Sequence, residues 1–287
     1  MRKFAVILAM VVLAAACAGE QEVVSGGLDD PTPPGSDVPE PGDAELLLSV
    51  EVSGGFLPTG VAFRAVPSAV VYGDGTTFSP AATAAVYPGP AAPPITRGRL
   101  AEDDLERLIA AADAAGLLDE VAEDFGQPPV ADAATTTVRV VIGGEARVAS
   151  VYALNATATG LPAMPGPPGV SPAQLEARKR VADYVELVTQ AVLAVEGEPY
   201  VAERYRILPL APEPSVDPAV EPDERRWPFP EIVLRGRECT AVSGDRAIEL
   251  GDALRSATEI TRWRTASDET FVLSVRPVLP HEPDCPG

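Results

Sequence analysis

The sequence predicts an α+β fold, with antiparallel or mixed sheets built from hairpins and packed on three main helices. Three observations carry the prediction. Two β-branched runs fold back at Gly73-Asp74-Gly75 and at Gly143-Gly144, residues that tolerate the positive φ of tight hairpin turns. Segments behind Glu102 and Ser171 place apolar residues at helical spacing, and a third helix is read behind Ser243. Proline-rich stretches at 18–45, 88–94 and 209–230 divide these runs as a tether, a break and a boundary or wrapping loop.

In chain order, 46–52 reads as a strand stopped by Ser53-Gly54-Gly55, and 61–66 as a second strand. Residues 69–72 and 77–78 flank the Asp74-Gly75 turn, and 95–99 is a short strand. The helix that follows opens on Glu102, Asp103 and Asp104, which suit the positive end of its dipole. Leu105, Leu108, Ile109 and Ala112 form its stripe, and Gly116 closes it. Residues 135–142 and 145–152 make the second hairpin. Ser171 caps a long helix to Glu196, with Pro172 at the first position and Gln174 completing a capping box. Its stripe of Leu175, Val181, Ala182, Val185, Val188, Val192 and Val195 marks a core face. Strands are then read over 200–208, 258–264 and 270–278, with Trp227 and Phe229 pinning the end of the proline-rich run. The order helix–strand–strand occurs at 100–152 and again near the C-terminus, which allows a duplicated α-β-β unit.

The first residues carry an address. Arg2 and Lys3 precede an apolar run from Phe4 to Ala16, which ends in small residues. This is the layout of a secretory signal, and the run is too short for a permanent span of about 20 residues. Leu13-Ala14-Ala15-Ala16-Cys17 resembles the lipobox of bacterial lipoproteins, which implies that Cys17 is acylated and becomes the mature N-terminus. Ala14 stands where the usual lipobox has a larger aliphatic residue, so plain cleavage after Ala16 or Ala18 remains an alternative. Residues 17–45 contain acids and prolines but no basic residue, the composition of an extended tether. The organisation read from the chain is therefore 1–16 signal, 17–45 tether, 46–208 main domain, 209–230 linker or wrapping loop, and 231–287 a small terminal unit.

Of three cysteines, acylation of Cys17 leaves Cys239 and Cys285 as an even pair. In an oxidising compartment they form a disulfide that closes almost the whole terminal unit. A metal site on these two has no supporting ligand set, because His281 is the only histidine and there is no C-x-x-C. The formal charge of −20 over 287 residues repels nucleic-acid phosphates and anionic headgroups, so no nucleic-acid partner is expected. Arginine outnumbers lysine heavily, with only Lys3 and Lys179 present, a bias of GC-rich genomes.

No residue combination names a reaction. Tyr72-Gly73-Asp74-Gly75-Thr76 resembles the D-x-D-G-T strand end of haloacid-dehalogenase phosphatases, but Tyr72 stands in the nucleophile's place and a phenol cannot serve there. There is no G-x-S-x-G or H-E-x-x-H. Gly54-Gly55-Phe56, Val70 to Gly75, Tyr87-Pro88-Gly89-Pro90, Trp227-Pro228, Arg237-Glu238-Cys239 and Arg276 to Pro280 together resemble a group of secreted proteins and lipoproteins from actinobacteria and their neighbours. That resemblance implies an exported α+β protein and supplies no catalytic residue. The sequence thus leads to a lipid-anchored protein on the extracytoplasmic face of the membrane, a non-enzymatic binding module for an envelope protein or small molecule. No catalytic, cofactor or metal residue is assigned. The alternatives are an extracellular acid-pair hydrolase and a secreted inhibitor.

Overall fold

The computed structural model describes residues 45–119, 123–154, 169–213 and 217–285. All of them belong to one unit that begins at residue 39. The expected signal, Cys17 and nearly all of the tether lie outside the described residues.

The architecture is α+β, with two sheets. The elements in chain order are β1 (Leu46–Gly54), α1 (Thr59–Arg64), β2 (Ala69–Tyr72), β3 (Thr76–Pro80), β4 (Ile95–Arg99), α2 (Glu102–Ala114), β5 (Ala134–Ile142) and β6 (Glu145–Tyr152). There follow α3 (Pro172–Leu193), β7 (Glu198–Pro199), β8 (Arg204–Leu210), β9 (Glu224–Arg226), β10 (Thr240–Ser243), α4 (Asp245–Leu254), β11 (Arg262–Arg264) and β12 (Thr270–Pro277). The first sheet runs β6-β5-β1-β2-β3-β4-β7 and is antiparallel throughout. The second runs β10-β8-β12-β11-β9 and is antiparallel except for the parallel β11–β9 pair.

Both hairpins form as their turns dictate. Asp74 accepts from the Thr76 amide and hydroxyl at 2.8 and 2.9 Å, fixing the β2–β3 turn. Gly143 and Gly144 have φ of 59° and 81°, so a two-residue turn joins β5 to β6 in unbroken register. In β5, Thr136, Val138 and Val140 are buried while Arg139 is exposed, the period-two pattern of a half-covered sheet. All four residues of β2 are buried, because that central strand is covered on both faces.

The covers on the first sheet are α2 and α3 on one side. Ala177, Val181, Tyr184, Val188 and Val192 line the inner face of α3 and meet Leu108 and Ala112 of α2, Leu48 and Val50 of β1, and Val138 and Val140 of β5. The capping box is present: Ser171 Oγ accepts the Gln174 amide and Gln174 Oε1 accepts the Ser171 amide. Arg178 lies within this buried face, where it donates to the carbonyls of Phe125 (3.0 Å) and Tyr152 (2.5 Å). Helical spacing of apolar residues gave no warning of it. On the opposite side, Val70, Tyr72, Phe78 and Ile95 pack against Leu279 from the C-terminal segment.

A separate core supports the second sheet. Tyr205 and Ile207 of β8 and Leu273 and Val275 of β12 pack with Ala247, Leu250 and Leu254 of α4. Trp227 and Phe229 pin the proline-rich run here, edge-on to each other with Trp227 also edge-on to Trp263.

Three local readings are corrected. Residues 61–66 do not form a strand: Thr59–Arg64 is helix α1, started by Pro58 and stabilised against β8 and β12. The Val-Ala-Phe-Arg-Ala-Val run has no clean period, so long-range packing decides its form. The strand expected at 258–264 is confined to Arg262–Arg264, because Thr258–Thr261 closes a turn through the Thr258 carbonyl and the Thr261 hydroxyl. The strand read at 200–208 is β8 at Arg204–Leu210, with Tyr200 outside it. The last helix starts behind Ser243 as read, with Gly244 at φ 62° in the N-cap position. Helix–strand–strand order does occur twice, as α2-β5-β6 and α4-β11-β12. β8 precedes the proline-rich run, yet it lies between β10 and β12, which follow it.

Candidate functional site

Strand periodicity divides the second sheet into two unlike faces. Tyr205, Ile207, Leu273 and Val275 point into the α4 core. Arg206, Leu208 and Leu210 therefore share the other face with their cross-strand partners Arg276, Ser274 and Val272. This face is apolar at one end and cationic at the other, and different parts of the chain cover the two ends.

Helix α1 covers the apolar end. A Cβ on Gly60 would lie 2.8 Å from Leu210 Cδ1, so glycine is what allows this close approach. The Ser274 hydroxyl donates to the Gly60 carbonyl at 2.6 Å and fixes the helix on β12. From its last turn Arg64 reaches Glu259 Oε2 at 2.8 Å and the Pro90 carbonyl at 2.6 Å. Glu259 Oε1 accepts the Gly89 amide at 2.9 Å, and the Glu259 amide donates back to the Gly89 carbonyl. One ion pair thus joins α1, the 87–92 segment and the turn after α4.

Between these parts lies a cleft of about 440 Å³. Pro58, Val61, Leu210, Ile260 and Val272 give it apolar walls, and Tyr87 stands beside them. Its charged lining is Arg64, Glu259, Arg237 and Glu213. Arg237 is held at φ 63° while its amide donates to the Pro209 carbonyl at 2.8 Å. The volume and the mix of apolar surface with a few placed polar groups match a small-molecule site. The lining contains neither histidine nor cysteine. Ser274 commits its proton to Gly60, and both Glu259 oxygens are engaged.

The C-terminal segment covers the cationic end. Arg204 donates to the carbonyls of Leu279, Pro280 and Glu282 and pairs with Asp284 at 2.8 Å. Arg206 donates to the Pro283 carbonyl, and Arg276 pairs with Glu282, both side chains of that pair being almost buried. Cys239 and Cys285 form the disulfide, with Cα atoms 6.0 Å apart. His281 closes the segment onto the first sheet. Its amide donates to the Tyr72 hydroxyl at 3.3 Å, and that hydroxyl shares a hydrogen bond of 2.7 Å with the ring Nδ1. Lost hydration pushes the Tyr72 phenol above its ordinary value and holds His281 below its own. The pair is a latch between neutral groups.

Of the residues singled out in the sequence, Asp74 is a turn residue and Trp227 a core residue whose Nε1 donates to the Ile232 carbonyl. A broader hollow of about 590 Å³ beside Asp74 also touches Arg99 and Glu102, but Asp74 is already committed to Thr76. The cleft residues escaped sequence reasoning because Arg64 and Glu259 stand 195 positions apart. Among the described residues no group of three or more potential metal ligands occurs, and no helix is long and apolar enough to cross a membrane. No protein-family model matches the chain, and no curated protein or solved structure matches it.

Proposed function

We propose that the chain is an exported, lipid-anchored protein of the cell envelope that acts as a non-catalytic binding module, with the cleft beneath α1 as its ligand site. The observation that carries the reading is the cleft itself: apolar walls, a mouth built from four charged residues, and an internal ion pair that fixes its shape before any ligand arrives. The anchor rests on Arg2, Lys3, the apolar run and Cys17. The Cys239–Cys285 disulfide supports an oxidising compartment.

The intact mass of the N-terminal peptide from the membrane fraction tests the anchor. A diacylglycerol-modified Cys17, with the Cys17→Ala protein lost from that fraction, is the expected result. An unmodified N-terminus in the medium refutes it. An acid-pair hydrolase is the second reading, favoured by Glu213 and Glu259 sharing one cleft. Turnover on a panel of glycosides and esters, abolished in Glu213→Gln, would establish it over the binding module.

A further inference from the structure

We propose that the cleft takes a small zwitterion with an apolar body, the chemistry of a free dipeptide of aliphatic residues. This rests on the cleft being the ligand site. Of its four charges, Arg64 and Glu259 neutralise each other and are further tied to the backbone at Pro90 and Gly89. Arg237 and Glu213 remain. Both line the same cleft from solvent-exposed positions, and they form no ion pair with each other or with any other described residue. A cation and an anion that share a cavity without meeting are complementary to a ligand carrying both signs at separate ends.

Two simpler ligands fit less well. A purely anionic ligand would use Arg237 but would face Glu213 in a chain that already carries −20. A purely cationic one would meet Arg237 as a repelling neighbour. The apolar walls set the middle of the ligand, since the side chains of Val61, Leu210, Ile260 and Val272 offer no hydrogen bond to a polar body. Size sets its length. A cleft of about 440 Å³ lies in the lower part of the range of about 300–1,000 Å³ for small-molecule sites, a size suited to a dipeptide. Little of the site needs to move on binding, because Ser274 pins α1 and the Arg237 backbone is bonded to Pro209.

Titration calorimetry on the full chain with L-Leu-L-Leu tests this, run beside N-acetyl-Leu-Leu, Leu-Leu-amide and octanoate. The expected result is that removing the ammonium by acetylation weakens binding about tenfold, and so does removing the carboxylate by amidation. In Glu213→Gln the acetylation loss should vanish, and in Arg237→Gln the amidation loss should vanish. Equal affinity for all three peptides would overturn the inference, as would losses that persist unchanged in the variants. Octanoate binding as tightly as Leu-Leu overturns the zwitterion and leaves the cleft as a ligand site. If Leu-Leu gives no heat while another small molecule protects cleft amides from exchange, the ligand class falls and the binding module stands. If no compound in a broad screen protects them, both fall.

Discussion

Opening the Cys239–Cys285 disulfide should cost stability without undoing the fold. The bond spans 46 positions, and in the chain-entropy relation a closed loop of that length removes about 4 kcal/mol worth of freedom from the unfolded chain. For a body of this size the loss corresponds to a fall in Tm of roughly 8–16 °C. The native contacts of the segment do not depend on the bond, because Arg204, Arg206 and Arg276 hold residues 279–284 and Tyr72 holds His281. Cys239→Ser should therefore melt lower by that amount, with an unchanged circular dichroism spectrum at 25 °C. The wild type in reductant should move to the same Tm, and the variant should not respond to reductant. Equal melting with and without reductant in the wild type would refute the disulfide. A drop accompanied by loss of exchange protection at His281 would refute the independence of the polar clamp.

Three further changes probe the same frame. Glu282→Gln leaves Arg276 nearly buried without its counter-charge, and should destabilise by about 3–5 kcal/mol in urea titration; adding Arg276→Met should restore most of it, and no recovery would mean the pair is not the cause. His281 is held below its ordinary value by lost hydration, so the unfolded chain binds its proton more readily. The latch's contribution is then complete above a pH of about 6.5 and is lost as pH falls below it toward the folded value. Tm measured from pH 7.5 to 5 should fall more steeply in the wild type than in His281→Gln, and parallel curves would contradict the assignment. Gly60→Ala puts a methyl group against Leu210 and should cost about 1–3 kcal/mol as overpacking, together with weaker ligand binding. A neutral effect in both thermal melting and titration calorimetry would show that α1 has room to shift.

Local chemistry made much of the scaffold legible. Gly75 and Gly143-Gly144 announce their turns because few other residues accept those angles, Asp74 adds a side-chain acceptor for Thr76, and the Ser171–Gln174 box is written within four positions. The period of α3 marks its buried face through Val181, Val188 and Val192. The pairing of Cys239 with Cys285 followed from compartment and parity once Cys17 was set aside as the expected acylation site. What stayed hidden depends on distant partners. Nothing near Val61 says that β8 and β12 will favour a helix there, and nothing near Arg178 says that the Phe125 and Tyr152 carbonyls will accept its protons. The cleft was hidden for the same reason, since α1, the 87–92 segment and the 257–261 turn are distant in sequence and meet only in the tertiary fold.

The cover on the second sheet follows from a conflict in its own strands. Arg206 and Arg276 are cross-strand partners on one face, a placement in which like charges repel and destabilise a sheet. Neither side chain is left to water, so solvent does not screen them. The chain answers with its own last residues: Glu282 for Arg276, the Pro283 carbonyl for Arg206, and Asp284 with further carbonyls for Arg204. Such a segment has to approach closely and stay, which accounts for its being fixed at Cys285 and at His281. Four residues along the same face, at Val272 and Leu210, there are no charges to answer and the cover is α1. The cleft opens at that end because a six-residue helix started by Pro58 seals an apolar face less completely than an ion-paired strap seals a cationic one. The two covers are thus divided along one pair of strands, with the clamp at Arg206 and Arg276 and the cleft at Leu210 and Val272.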